Sequence, residues 1–377
     1  MTLRVGVVGC GNISDIYFSN SVLFKDFTIT AASDLRMEAA HEKAQKYNVK
    51  AVAVDELLRR DDIDAILNLT IPAAHADIAL RALDAGKHVY GEKPLATSRA
   101  EGEAVVKLAK EKGLYVGSAP DTILGPGIQT ANTLIEQGVT GKVITGTAAV
   151  MSRGMEHWHP NPAFFFSFGG GPVLDMGPYY IASLVALLGP VKRVSASGKI
   201  GHATRTVTAE GAQKGQVICV EALTTVTAIL SFESGADIIL LASWDVWAHS
   251  LPAIEIHGAD CSLSIPDSNF FGGNIMQSTD RKIWGKTIET VGLPLGGINY
   301  PADAPLHANH RGIGLAEMAR AISEKRTNRL DGEFALHCLD VLLAIVESAT
   351  ENRPAEIVHH CERPASLGIA EARQLLV

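Results

Sequence analysis

Over the first 120 residues, short and wholly apolar runs alternate with amphipathic stretches, and few folds accept that pattern. The runs "LRVGVVG", "FTITAASD", "DAILNLTIP", "KHVYGEKP" and "GLYVGSA" read as strands. Between them, "MEAAHEKAQKY", "HADIALRALDAG" and "SRAEGEAVVKLAKEKG" place apolar residues at helical spacing. Strands apolar on both faces, alternating with helices, specify a parallel sheet covered on both sides. Sheets of that kind bind ligands beyond the carboxyl ends of their strands. The turn-forming and polar residues gather at those ends: Gly9 to Ser14, Asp34, Thr70 to Pro72, and Glu92 to Pro94.

Past residue 120 the pattern changes. "GPGIQTANTLIEQG" reads as a helix leading into the strand "KVITGTAAVMS". "TTVTAILSFESGADIILLASWDVW" reads as two alternating strands joined by a turn at Glu233-Ser234-Gly235. "RGIGLAEMARAISEKR" and "GEFALHCLDVLLAIVESATE" are late helices. The 377 residues thus divide into an α/β domain over 1–120 and an α+β domain over 121–377, the latter built on a large, mainly antiparallel sheet. If strands such as "ADIILLASW" are apolar on their outward side, another subunit must cover them. A homodimer or homotetramer through this sheet is expected.

Composition excludes several classes. With 47% hydrophobic and 20% charged residues the chain is globular rather than disordered. A formal charge of −8 without a Lys/Arg cluster argues against nucleic acid as a partner. No apolar run reaches the ~20 residues that span a bilayer, so no membrane association is expected. The N-terminus enters a strand without a charged-then-apolar leader. Cys10, Cys219, Cys261, Cys338 and Cys361 are scattered and never spaced as CxxC, which favours reduced thiols in a cytoplasm over disulfides or structural zinc.

"VGVVGCGNISDIYFSN" sets Gly9 and Gly11 after an apolar strand and ahead of a helix. Glycines there allow a tight turn and a close backbone approach to a pyrophosphate, with Asn12 and Ile13 leading into the helix N-terminus. Ser14 stands where a third glycine is usual. The next strand ends at Asp34, near the ~20-residue offset at which a carboxylate binds a ribose diol. Such a carboxylate repels a 2′-phosphate and favours NAD, while Arg36 keeps NADP open. The alternative is that Asp34 caps the following helix. In "TIPAAHAD", Thr70, Pro72 and His75 lie beyond a further strand end, where His75 either touches the cofactor or caps the helix.

The segments "GVVGCGNIS…AASD…LNLTIPAAHADIALRALDAGKHVYGEKPLATS" and "GGGPVLDMGPYYIASLVALLGPVKRV" strongly resemble the glucose–fructose oxidoreductase/inositol dehydrogenase/MocA family. With "RGIGLAEMARAI" the resemblance runs over nearly the whole chain. It implies an N-terminal Rossmann domain and hydride transfer between NAD(P) and a secondary hydroxyl or carbonyl of a sugar, polyol or related cyclic alcohol. It places Lys93 between nicotinamide and substrate, with a Lys93–Pro94 bond that is often cis in the family. Glu92 would orient the ammonium or face the nicotinamide ribose. A lysine beside a positively charged ring and partly desolvated is expected to have a lowered pKa.

The second signature maps onto Asp175 and Tyr179. Four residues apart, they share a face of a helix that starts near Asp175 and takes Pro178 in its first turn. Many family members have histidine where this chain has Tyr179. A phenol next to Lys93 can take that acid/base role, and either Tyr179 or Lys93 takes the proton. His157 and Trp158, in "MSRGMEHWHPNPAFFFSFGGG", join polar tips to an aromatic surface that suits a sugar ring. His157 and His159 lack a third ligand, so no metal is expected. In "PLHANHRGIG", His307, His310 and Arg311 read as a solvated helix start, from which Arg311 can reach an anionic group. Two other readings fit the same motifs: an enzyme that retains NAD to cleave glycosides or shuttle hydride between sugars, and a cofactor- or sugar-sensing regulator.

Overall fold

The computed structural model describes residues 2–280, 284–297, 299 and 308–377; His307 lies outside them. The first sheet contains β1 (Leu3–Val8), β2 (Phe27–Ser33), β3 (Lys50–Ala51), β4 (Ala65–Asn68), β5 (His88–Gly91) and β6 (Val116–Ser118). All pairs are parallel, in the order β3-β2-β1-β4-β5-β6. Its connections are α1 (Ser14–Asn20), α2 (Met37–Tyr47), α3 (Val54–Arg59), α4 (Pro72–Asp84) and α5 (Arg99–Lys112). Val5, Val7, Ala65, Ile66 and Leu67 are fully buried because helices cover both faces, which is why these strands read as unbroken apolar runs. The strand order reverses between β1 and β4, and the ends of those strands frame the crevice where such sheets take ligands.

Helix limits follow local chemistry. The Ser98 side chain accepts from the Glu101 amide while Glu101 reaches back to the Ser98 amide, a reciprocal cap that starts α5. Gly113, at φ +63°, ends it. The short β3 and α3 fall below the length at which periodicity is readable, and the sequence reading does not contain them.

Next come α6 (Pro126–Glu136), β7 (Val143–Met151), α7 (Ala163–Phe166), α8 (Pro172–Asp175), α9 (Gly177–Leu188), β8 (Val191–Lys199), β9 (Thr204–Thr206) and β10 (Val217–Cys219). β11 (Thr225–Phe232), β12 (Asp237–Ser243), β13 (Ile254–Gly258), β14 (Ser262–Ile265), β15 (Ile275–Ser278) and β16 (Lys286–Ile288) follow. The chain ends with α10 (Ile313–Glu324), α11 (Gly332–Glu351), β17 (Ala355–Glu356) and α12 (Ile369–Leu375). A nine-stranded sheet runs β16-β15-β14-β13-β7-β12-β11-β8-β17. Only β12 with β7 is parallel, so the sheet is mainly antiparallel as expected. Gly235, at φ +90°, closes the β11–β12 hairpin at the turn read from the sequence.

One face of this sheet packs against α9, every residue of which is buried, and against α11. α11 also packs on α5 of the first unit: a Cβ on Gly102 would lie 2.8 Å from Leu336. The Ser118 amide donates to the Leu330 carbonyl at 3.2 Å. The C-terminal helices therefore lie against both sheets and fix the cleft between them. Among the described residues no helix is long and apolar enough to cross a membrane.

Candidate active site

The glycine loop leaves β1 at Gly9, whose φ of +102° only glycine adopts easily, and a Cβ there would sit 2.5 Å from the Leu69 carbonyl. Gly11 is different: an added Cβ meets nothing within 4 Å, so the side chain it lacks would occupy open space above the loop. Ser14 is buried and donates through Oγ to the Gly11 carbonyl at 2.6 Å, which accounts for a small polar residue in the third-glycine position. Asn12 and Ile13 are exposed on the loop. The Cys10 thiol is buried against the Ser33 carbonyl, and burial pushes its pKa up to about 11.

Asp34 does not cap α2, whose N-cap is Arg36 without a side-chain bond. Its Oδ2 accepts from the Cys10 amide at 2.8 Å and its Oδ1 from the Arg36 amide at 2.9 Å. A carboxylate has about four acceptor positions, so Asp34 braces the glycine loop and still has capacity for a ribose diol. The Arg36 side chain is exposed beside it. An open backbone at Gly11 next to a carboxylate at the end of β2 fits a dinucleotide.

The second corner lies at the end of β5. The Lys93–Pro94 and Ala119–Pro120 bonds are cis. Glu92 accepts from the buried Tyr17 hydroxyl at 2.8 Å and from the Lys93 amide at 3.2 Å, so it anchors the turn rather than the ammonium. Burial, then Glu92 and Asp121, hold Tyr17 well above its ordinary pKa, and it stays a donor. Thr70 donates through Oγ1 to Asn68 at 2.7 Å, and Asn68 donates to the His75 carbonyl at 3.0 Å. His75, buried in the first turn of α4 after Pro72, sets one ring nitrogen 2.6 Å from the Pro94 carbonyl and the other 3.0 Å from that of Thr70. It ties the loop after β4 to the Lys93 turn.

Lys93 Nζ donates to the Asp175 backbone carbonyl at 2.5 Å, lies 3.4 Å from Asp175 Oδ1, and sits 5.1 Å from the centre of the Tyr179 ring. Burial is the largest single influence on this ammonium and lowers its pKa. Tyr179, Asp175 and Glu92 together outweigh burial, and the pKa stands above its ordinary value. Desolvation and the cofactor's charge alone would have lowered it, and the ring of negative and acceptor groups around the ammonium reverses that expectation.

Asp175 and Tyr179 do not share one helix. Asp175 is the last residue of α8, Met176 breaks the path, and Tyr179 stands in the first turn of α9 with Pro178 at its second position. The break still leaves Asp175 and the Tyr179 ring against the same ammonium. Tyr179 is 8% exposed, and its hydroxyl accepts from Arg311 Nη2 at 3.3 Å. Asn309 keys that arginine, accepting from its Nη1 at 3.1 Å. Burial pushes the guanidinium's pKa down, but Tyr179, Glu92 and Tyr17 outweigh it, so Arg311 remains charged. The residues therefore set two cations beside one phenol, next to a carboxylate.

The sequence reading left Arg311 as a solvated helix start; the only sign of its role was its place directly before α10. Behind the corner, the Asp121 carboxylate accepts from Tyr90 and from the Gly312 amide, the latter at 2.5 Å, which fixes the segment carrying Arg311. His157 lines a cavity whose wall contains none of Lys93, Asp175, Tyr179 and Arg311, while Trp158 is 58% exposed and packs edge-on against His159. No group of three or more potential metal ligands occurs among the described residues.

Residues 3–119 match the model of an oxidoreductase family with an NAD-binding Rossmann fold, and residues 128–264 match the GFO/IDH/MocA C-terminal domain. The chain belongs to the Gfo/Idh/MocA oxidoreductase family. Its similar curated proteins include a dTDP-3,4-didehydro-2,6-dideoxy-α-D-glucose 3-reductase from Actinomadura kijaniata, 31% identical over 50% of this chain and 56% of that one. Myo-inositol 2-dehydrogenase of Thermotoga maritima is 26% identical over 62% of this chain and 66% of its own. The match thus spans only about three fifths of the length of such relatives. Trans-1,2-dihydrobenzene-1,2-diol dehydrogenase of Mus musculus is 24% identical over 76% of this chain and 77% of its own. Among solved structures, an NAD-binding oxidoreductase from Klebsiella pneumoniae superposes with a TM-score of 0.80 at 23% identity, covering 95% of this chain and all of that one. The first matched segment covers the parallel sheet, and the second covers β7, β8, β11, β12, β13 and most of β14 of the nine-stranded sheet.

Proposed function

We propose that this Gfo/Idh/MocA protein is an NAD-dependent dehydrogenase acting on a secondary hydroxyl of a sugar, polyol or related cyclic alcohol. The observation that carries the reading is the meeting of Lys93, Asp175, Tyr179 and Arg311 at the carboxyl ends of a parallel sheet whose first turn is open at Gly11. Relatives named for sugar, inositol and dihydrodiol substrates support the substrate class.

In this reading Gly9, Gly11, Asn12 and Ile13 receive the pyrophosphate, and Asp34 with Arg36 faces the adenosine ribose. Asp34 favours NAD; exposed Arg36 leaves NADP tolerable. Thr70, Pro72, Glu92 and Lys93 border the nicotinamide end, with His75 holding their loops together. A nicotinamide held there would supply the acceptor for a hydride from the substrate carbon. Asp175 orients the reacting hydroxyl, and the Lys93 ammonium donates to its oxygen. Tyr179 is the group placed to take the hydroxyl proton, a step that requires it as phenolate, with Arg311 donating to its oxygen at 3.3 Å and Lys93 over its ring. The chain contributes orientation and placed charge. Five free thiols are consistent with a reducing cytoplasm.

The test is to mix the protein with NAD or NADP and a panel of sugars and polyols while following reduced nicotinamide by absorbance. Turnover with NAD that disappears in Lys93→Ala is expected. Binding of NAD without turnover on a broad panel would defeat the dehydrogenase reading, and a preference for NADP would defeat the role given to Asp34.

A further inference from the structure

A cavity of about 190 Å³ lies between the loop after β7, the β9–β10 hairpin and the loop after β12. It shares no lining residue with the Lys93 corner. A small apolar core containing Met155, Phe166 and Trp244 lies beside it, and the Arg205 guanidinium, one wall of the cavity, stands 5.6 Å from the Phe166 ring centre. Arg205 is held rigidly: it donates to Glu156 Oε1 at 2.9 Å and to the Trp244 carbonyl at 3.1 Å, and it pairs with Asp245. Asp245 in turn accepts from Thr224 and Thr225.

Three buried polar atoms in this wall have no partner: Glu156 Oε2, His157 Nδ1 and Arg205 Nε. Each costs free energy unless a hydrogen-bonding ligand or water meets it. These atoms lie behind the lining, with Glu156 Oε2 packed against Gly154, and the space itself is lined by donors and acceptors together, Arg153, His202, Thr206 and Thr208 beside Glu156 and Asp245. On the rim, Trp247 is 81% exposed, with the Arg153 guanidinium 5.2 Å from its ring centre. Charge decides the ligand class. Arg153 and Arg205 are matched by Glu156 and Asp245, and burial, then Arg153, pushes the His157 pKa down, so the imidazole adds no positive charge at neutral pH. A charge-balanced wall gives an anion no net attraction, whereas the hydroxyls of a cyclitol or sugar ring can meet both its donors and its carboxylates.

We propose that this cavity is a second binding site, for a neutral polyhydroxylated ring such as a cyclitol or a single sugar residue stacked on Trp247. The ring is either a free molecule or a remote unit of a longer substrate, and the site stands whether or not the Lys93 corner proves to be a dehydrogenase centre.

The experiment is ligand-observed saturation-transfer NMR on the full chain without cofactor, using myo-inositol and methyl β-D-glucopyranoside as probes. Parent protein and Lys93→Ala are both expected to bind them, with the dissociation constant about tenfold higher in Trp247→Ala, a change on the exposed rim. Repeating the titration with a disaccharide separates the sources: tighter binding than the monosaccharide, reduced in both variants, assigns a longer substrate, and equal binding assigns a free ring. Signal lost in Lys93→Ala but kept in Trp247→Ala would place the sugar only at the Lys93 corner and overturn the proposal. So would silence with both probes, or displacement of them by sulfate or D-glucuronate.

Discussion

Tyr179 shows how much of a site can hang on one oxygen. Its hydroxyl faces Arg311, its ring faces Lys93, and neither contact depends on a cofactor. If the phenol moves the proton, Tyr179→Phe removes the atom that does so and lowers kcat by about 10²–10⁴-fold, with NAD affinity unchanged. Arg311→Gln is expected to reduce kcat in the same direction by a smaller factor while leaving thermal stability near that of the parent. Equal rates in parent and Tyr179→Phe would move the role to Lys93. Asp121 provides a pH signature. Burial lifts its carboxyl to about 6, against bonds from Tyr90, Gly312 and Gly314 that pull it down. The folded protein therefore holds a proton that the unfolded chain releases near the ordinary value of 3.8. That contribution is fully present at lower pH and is lost as pH rises toward about 6, worth on the order of 3 kcal/mol. Urea denaturation across this window, parent against Asp121→Asn, checks it: the difference should move in the parent's favour as pH falls, and a flat difference sinks the assignment. Lys93 and Asp175 were singled out because the family resemblance maps onto the segments that carry them, and the structure brings the two side chains to 3.4 Å. Arg311 was not, because 132 residues separate it from Tyr179 and no periodicity links them.

At the scale of elements, the first 120 residues were legible because their strands are buried on both faces and their helices on one, so two periods alternate cleanly. The Ser98 cap and the Gly235 turn lie where their residue types demand them. The break at Met176 was not legible. Its backbone, at φ −99° and ψ −28°, is close to helical, and Pro178 suits a first turn whether that turn belongs to one helix or starts a second. The glycine loop separates two glycines that look alike in the sequence. Gly9→Ala would force a Cβ to 2.5 Å from the Leu69 carbonyl at a positive φ, and a clear loss of stability is expected, on the order of 1–3 kcal/mol or more. Gly11→Ala meets nothing, so stability should change by no more than ~0.5 kcal/mol. NAD affinity should nevertheless fall about tenfold, as expected if hydrogen bonds to the pyrophosphate are weakened by ~1.4 kcal/mol. Calorimetry of both variants, with NAD titration of Gly11→Ala, tests the pair. Unchanged NAD binding in Gly11→Ala would remove the pyrophosphate from that loop.

Across the whole molecule, chain order and spatial order part company. Asp121 meets Gly312, Gly102 meets Leu336, and Gly117 bridges Asp331, so the last helices return to the sheet built by the first 120 residues. Such long-range closures are set by tertiary packing, which strand and helix periods do not encode. The nine-stranded sheet uses one face for α9 and α11. On the other, Ile229 and Ile239 stand opposite each other in register and are 47% and 41% exposed, with Ile144 at 56%. Nine strands at ~4.8 Å spacing give a face roughly 40 Å across. That can supply the ~800 Å² per partner that a standard interface buries. A second copy laid on this face would bury the paired isoleucines, and a flat, two-fold arrangement would let the same strands meet themselves. Light scattering coupled to size exclusion should therefore give a dimer or tetramer for the parent. A charge at the centre of that patch, Ile239→Lys, should lower the mass toward a single chain while circular dichroism stays unchanged, because the residue faces away from the core. A parent that runs as one chain at micromolar concentration would show that this face needs no second copy.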